Sequence, residues 1–96
     1  MVRRSREREL GIEDVLSSRG RVRILKLLAE AGELNISEIV RRSELNHTVT
    51  LRHLEALEKA GLITQRRFGR VRIFRYRDDD LRGKLLKSLL VSWDGV

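Results

Sequence analysis

Cysteine is absent from these 96 residues. That excludes disulfide staples and thiolate metal sites, and it is compatible with a reducing compartment. Long apolar runs are absent too: none approaches the roughly 18 residues that cross a bilayer. Aromatics are scarce, with one Trp, one Tyr and two Phe. Little is therefore available to stack the splayed bases of single-stranded RNA. The two histidines have no convincing nucleophile or carboxylate partner, and no Gly-rich phosphate loop occurs. An enzyme is not expected, nor a cofactor, nor a metal site. The opening "MVRRSRERELGI" carries charge where a secretory signal needs an apolar core.

What the chain has is positive charge. Its formal net charge is +7 and its pI is near 11.0, a balance that favours a polyanionic partner: DNA, RNA or an anionic membrane surface. The charge is concentrated. "RRFGRVRIFRYR", residues 66–77, holds six arginines and no acid.

The chain reads as one domain. Residues 1–9 form a basic, flexible arm, residues 10–77 the main unit, and residues 78–96 a last helix of the same globule. "GIEDVLSS" predicts a short helix with Ile12, Val15 and Leu16 inward. A helix over about 19–31 follows, with Ser18 as N-cap and Gly32 as its stop. "ELNISEIVRRSE" offers Ser37 as the next N-cap, before a helix of barely two turns with Ile39 and Val40 inward. Asn46 caps a longer helix that runs to about Ala60 and stops at Gly61. "LITQRRF" and "VRIFRYR" are β-rich runs flanking a turn at Gly69-Arg70. "DDD" then starts a final helix, where the macrodipole favours acids. The fold class is mainly α with a two-stranded β wing: a winged helix-turn-helix.

At about 100° per residue, the helix over 46–60 places Val49, Thr50, His53, Leu54, Leu57 and Ala60 on one side. His47, Thr48, Leu51, Arg52, Glu55 and Glu58 fall on the other. The outward N-terminal residues of such a helix enter the major groove. Asn46, His47, Thr48, Leu51 and Arg52 are therefore the candidate DNA contacts. Leu51 suits a thymine methyl, or is an ordinary exposed leucine or one in contact with another part of the protein. Arg52 suits a phosphate better than a guanine, because most protein–DNA hydrogen bonds go to the backbone. His53 reads as a core-edge residue satisfied by backbone, with a phosphate contact as the alternative.

A wing lies along the duplex beside the recognition helix. Arg66, Arg67 and Arg72 can neutralise phosphates, and Arg70 at the tip suits a narrow A·T-rich minor groove. Phe74 and Tyr76 anchor the hairpin to the core. Arginines also protect edge strands from aggregation, yet six without an acid exceed that need.

From "SSRGRVRILKLL" through "RHLEALEKAGLI" to the Gly-Arg wing tip, the chain resembles the ArsR-like winged-helix transcriptional regulators of bacteria and archaea. The resemblance covers about residues 12–77. It implies a dimer that binds operator DNA. Metal-sensing members often carry two cysteines in the stretch matching "ELNISEI", where this chain has Asn35 and Ser37. Another family metal site uses carboxylates and histidines on the C-terminal helix, and none of the residues from Leu81 to Trp93 is a histidine. The turn between the paired helices often carries Gly, where this chain has Glu44.

On the last helix, Leu81, Leu85, Leu86, Leu89, Leu90 and Trp93 cover about half the circumference. One small core needs a narrower stripe, so a homodimer through the terminal helices is expected. Its interface takes Leu85, Leu86, Leu89, Leu90 and Trp93, with Leu10 and Val15 from the first helix. The arm arginines Arg3, Arg4, Arg6 and Arg8 either add minor-groove or phosphate contacts or form a disordered, solvated tail. The leading expectation is a sequence-specific, double-stranded-DNA-binding regulator, most simply a repressor, cytoplasmic and nucleoid-associated. Its effector, if any, is not readable. The alternatives are an architectural DNA-coating protein and a winged-helix protein-interaction module.

Overall fold

A computed structural model describes residues 10–95. The arm over residues 1–9 lies outside them. Five helices and a three-stranded antiparallel sheet run in the order α1 (Ile12–Val15), α2 (Arg19–Ala31), β1 (Glu33–Asn35), α3 (Ile36–Ser43), α4 (His47–Lys59), β2 (Ile63–Phe68), β3 (Val71–Tyr76) and α5 (Leu81–Ser92), closed by a 3₁₀ turn over Trp93–Gly95. The winged helix-turn-helix is as expected from the sequence.

Local chemistry sets most boundaries. Ser18 starts α2 by accepting a hydrogen bond from the Arg21 amide at 3.2 Å. Asn46 starts α4 by accepting from the Val49 amide at 2.8 Å. Asp80 starts α5 by accepting from the Arg82 and Gly83 amides. Each oxygen satisfies donors that have no partner inside the helix. At the end of α4, the Leu62 amide reaches the Leu57 carbonyl and the Gly61 amide reaches the Glu58 carbonyl. This Schellman stop requires the positive φ of 80° at Gly61.

Two boundaries correct the sequence reading. The N-cap of α3 is Asn35, not Ser37. Asn35 accepts from the Glu38 amide at 2.9 Å, while Glu38 accepts from the Asn35 amide at 3.0 Å. This reciprocal box satisfies two orphan donors where Ser37 alone would satisfy one. The sheet also gains a strand: β1 pairs with β3, so the order is β1-β3-β2.

The core lies between α2, α4 and the root of the sheet. Ile24, Leu25, Leu28, Ile39, Leu54, Leu57, Ile63 and Phe74 are all sealed from solvent there. Val15, Leu86 and Leu90 join them from the terminal helices. Ile12 and Leu16, expected inward, are exposed instead. A helix of one turn can turn only one side chain, Val15, into the core.

Glu44, in the turn between α3 and α4, is the sole non-glycine with positive φ (62°) among the described residues. That left-handed conformation costs about 1 kcal/mol for a residue with a β-carbon. Its exposed ion pair with Arg23 at 3.2 Å returns less than about 1 kcal/mol. Glu44→Gly is therefore expected to stabilise the fold by about 0.5 kcal/mol. Urea unfolding would show it as a higher midpoint at unchanged slope.

Candidate nucleic-acid interface

The candidate surface has two parts, the N-terminal half of α4 and the distal hairpin. On α4, Thr50, Leu54 and Leu57 are fully buried. That fixes the rotation of the helix and turns His47, Thr48, Arg52 and Glu55 into solvent. Asn46 is exposed, but its side-chain oxygen is committed to the cap. Leu51 is not fully outward: it is half-buried and packs against the core, the alternative of a contact within the protein. It lies one turn before buried Leu54, on the border of the inward face.

His53 is half-buried, and its partner is a side chain rather than backbone. The Arg21 Nε–H donates to His53 Nδ1 at 3.3 Å, and an Arg21 Nη1–H donates to the Asp14 carbonyl at 2.9 Å. The pair ties the start of α2 to the middle of α4. Burial, then the charges of Arg21 and Arg52, hold the His53 pKa below its ordinary 6.5, which keeps the ring neutral and able to accept.

The hairpin is anchored at its root. Phe74 and Tyr76 are buried, and the Tyr76 hydroxyl donates to the Gly83 carbonyl of α5 at 2.7 Å. Burial, reinforced by the charge of Asp78, pushes the Tyr76 hydroxyl pKa up to about 12. The two strands pair in register from Ile63↔Tyr76 to Phe68↔Val71. The connection is the pair Gly69-Arg70, with φ of 60° at Gly69. A glycine with positive φ at the first position is what a type II′ hairpin turn requires.

The arginines divide into two sets. Arg66 pairs with Glu33 of β1 at 3.3 Å, an acid the 66–77 stretch could not reveal. Arg72 donates through Nε to the Gln65 amide oxygen at 2.6 Å and lies over the Phe74 ring. Arg67 and Arg70 are exposed and form no ion pair among the described residues. Arg67 also stands directly opposite Arg72 across the ladder, a like-charge pair that an anion would relieve. Gln65 bridges to Glu58 of α4 at 3.4 Å, linking wing and helix.

A second surface is apolar. Leu85, Leu89 and Trp93 are exposed, as are Leu81 and Ile12. A groove of about 480 Å³ runs between α1, α5 and the end of α4, lined by Leu10, Ile12, Val15, Leu62, Leu85 and Leu89 among others. Among the described residues, no three His, Asp or Glu side chains gather as a metal site would require.

Residues 18–65 match the family model of the bacterial regulatory protein, ArsR family. The chain belongs to the ArsR family. Its fold and its family are those of winged helix-turn-helix transcriptional regulators that bind DNA, and not of enzymes. No match is found among curated proteins. Among solved structures, this ArsR-family chain is similar to the crystal structure of a possible transcriptional regulatory protein (fragment 1–100) from Mycobacterium bovis, with TM-score 0.68 and 28% identity over 85% of each chain. It is similar to the solution structure of the homodimeric winged helix-turn-helix DNA-binding domain (fragment 1–100) of a possible ArsR-family regulator from Mycobacterium bovis. There the TM-score is 0.69 and the identity 25%, over 99% of this chain and 91% of that one. A MarR family transcriptional regulator from Silicibacter pomeroyi gives TM-score 0.65 and 25% identity. That match covers 79% of this chain and about half, 53%, of the other.

Proposed function

We propose that this ArsR-family chain acts as a homodimeric, sequence-specific repressor that occupies promoter DNA in the cytoplasm. The carrying observation is the pairing of two surfaces. The N-terminus of α4 presents His47, Thr48 and Arg52, and the hairpin, bridged to α4 through Gln65 and Glu58, presents the unpaired cations Arg67 and Arg70. In this reading α4 enters the major groove, where His47 and Thr48 reach base edges and Arg52 a phosphate. Leu51 touches a thymine methyl only with the part of its side chain that remains exposed. Arg67 and Arg70 neutralise backbone charge, Arg70 at the phosphates that border the adjacent minor groove. Arg66 and Arg72, each held by an internal partner, contribute less.

Dimerisation is supported by the exposed apolar face of α5 and by the homodimeric state of the Mycobacterium bovis neighbour. Leu85, Leu89 and Trp93, with Leu10 at the groove, would meet the second protomer, whereas Val15, Leu86 and Leu90 are consumed by the protomer's own core. The double variant Leu85→Glu/Leu89→Glu is therefore expected to sediment as a folded monomer, with helical circular dichroism retained. A dimer of unchanged stability would place the interface elsewhere.

The functional test is capture of sheared genomic DNA at about 0.15 M salt, followed by sequencing. Discrete peaks sharing a two-fold motif are the expected result. Even coverage would favour an architectural role, and no recovered DNA would favour a protein-interaction module. The half-burial of Leu51 removes the feature that best supported the last of these.

A further inference from the structure

Two apolar side chains sit where the core cannot use them. Phe68 and Val71 face each other across the last rung of the hairpin, immediately flanking the Gly69-Arg70 turn. Phe68 is 57% exposed and Val71 48% exposed. Strand alternation puts both on the face of the sheet opposite Phe74 and Tyr76, so nothing of the core lies beneath them. The chain has four aromatic residues in all, and one stands at its most cationic point. Stapling a hairpin end would use such a pair, but a staple does not need half of a phenyl ring left in water.

The surroundings restrict the occupant. Arg66 lies over the Phe68 ring, 5.4 Å from its centroid, and Arg70 forms the turn itself. An apolar membrane or protein surface would have to strip water from the unpaired Arg70 guanidinium and from the Arg66–Glu33 ion pair, with no charge of its own to offer in exchange. A nucleic-acid groove would not, because phosphates flank the bases on both sides. Proteins that place apolar wedges between base steps, held by cations on the backbone, unstack the step and kink the duplex.

We propose that the wing tip is a DNA-bending wedge: Phe68, backed by Val71, enters a base step from the minor groove while Arg70 and Arg67 hold the phosphates on either side. The step of choice is a flexible pyrimidine–purine step, TA or CA/TG, which unstacks most cheaply. The proposal rests on the placement of the wing on DNA described above and adds an activity to it. Binding thereby bends the site, and part of the sequence preference comes from deformability at positions no side chain reads.

The test uses the full chain and a duplex of about 30 base pairs selected for binding from random DNA. The duplex carries end-attached donor and acceptor dyes and the fluorescent adenine analogue aminopurine at its TA steps. Expected on saturation are a rise in energy transfer, corresponding to a bend within about 20–90°, and a several-fold brightening of aminopurine at one step per half-site. Phe68→Ala should abolish the brightening and most of the bend while leaving the salt dependence unchanged, and Phe68→Leu should restore both. Arg70→Ala should weaken binding yet bend DNA fully once saturated. Bound DNA that stays straight and dark overturns the wedge and leaves the regulator reading intact, as does a bend that Phe68→Ala does not reduce. Failure to select any duplex removes both.

Discussion

Gly83→Ala is expected to destabilise the fold by about 3 kcal/mol, at the upper end of what overpacking costs. At roughly 4–8 °C per kcal/mol for a domain of this size, the melting temperature should fall by more than about 10 °C. The direction runs against ordinary helix propensity, by which Gly to Ala inside a helix gains up to about 1 kcal/mol. Geometry decides against propensity here. A β-carbon on Gly83 would land on the Arg77 carbonyl oxygen, well inside van der Waals contact, and that oxygen is backbone and cannot swing away. The Gly83 carbonyl meanwhile accepts the Tyr76 hydroxyl. To make room, the first turn of α5 would have to lift, loosening Leu86 and Leu90 from the core and releasing the root of β3. Gly95→Ala, at a site with open space, is the control and should lie within about 0.5 kcal/mol of the parent. Thermal unfolding followed by circular dichroism measures both. Equal melting temperatures for the two variants would mean that the packing of α5 on β3 is slack.

The second large effect is on binding. Replacing Arg67 and Arg70 together by Ala should flatten the plot of log affinity against log salt by about 1.8, at about 0.9 for each phosphate no longer neutralised. Extrapolated from molar salt to about 0.15 M, that is a drop in affinity of roughly thirtyfold, shared by every duplex tested. Stability should move the other way. Arg67 stands opposite Arg72 in the free protein, so its removal relieves repulsion worth a few tenths of a kcal/mol. A variant that is slightly more stable and binds far more weakly separates a binding role from a structural one. Affinity and slope unchanged in the double variant would take the wing out of the interface.

The elements read most directly from sequence are those fixed by local chemistry. Ser18 and Asn46 cap helices because a short side-chain oxygen precedes an apolar periodic run. Gly61 and Gly69 mark positions where only positive φ continues the chain. Phe74 and Tyr76 declare the buried face of β3 by their spacing of two. What is not legible depends on partners distant in sequence. β1 is three residues long, too short for any period to show, and exists because Leu34 packs beside Phe74 in the ladder. The same strand brings Glu33 to Arg66, so an arginine run without an acid is less free than it reads. On α5 the leucines form a stripe too broad for sequence to divide. The position of α2 decides that Leu86 and Leu90 turn inward while Leu85 and Leu89 stay out. Arg21 as the partner of His53 requires the packing of α2 on α4, for which no local pattern exists.

Placement of α4 in the major groove and of the wing beside it is the central claim, and a footprint on a captured DNA site tests it most directly. Dimethyl sulfate would report guanine N7 in the major groove, and hydroxyl radicals would report the sugars of the minor groove. Two patches of major-groove protection are expected about 34 Å apart, one helical turn. Each should be flanked by protected minor-groove sugars that become accessible in the Arg67→Ala/Arg70→Ala variant. Uniform protection along the duplex, or minor-groove protection that the variant leaves unchanged, would contradict that placement.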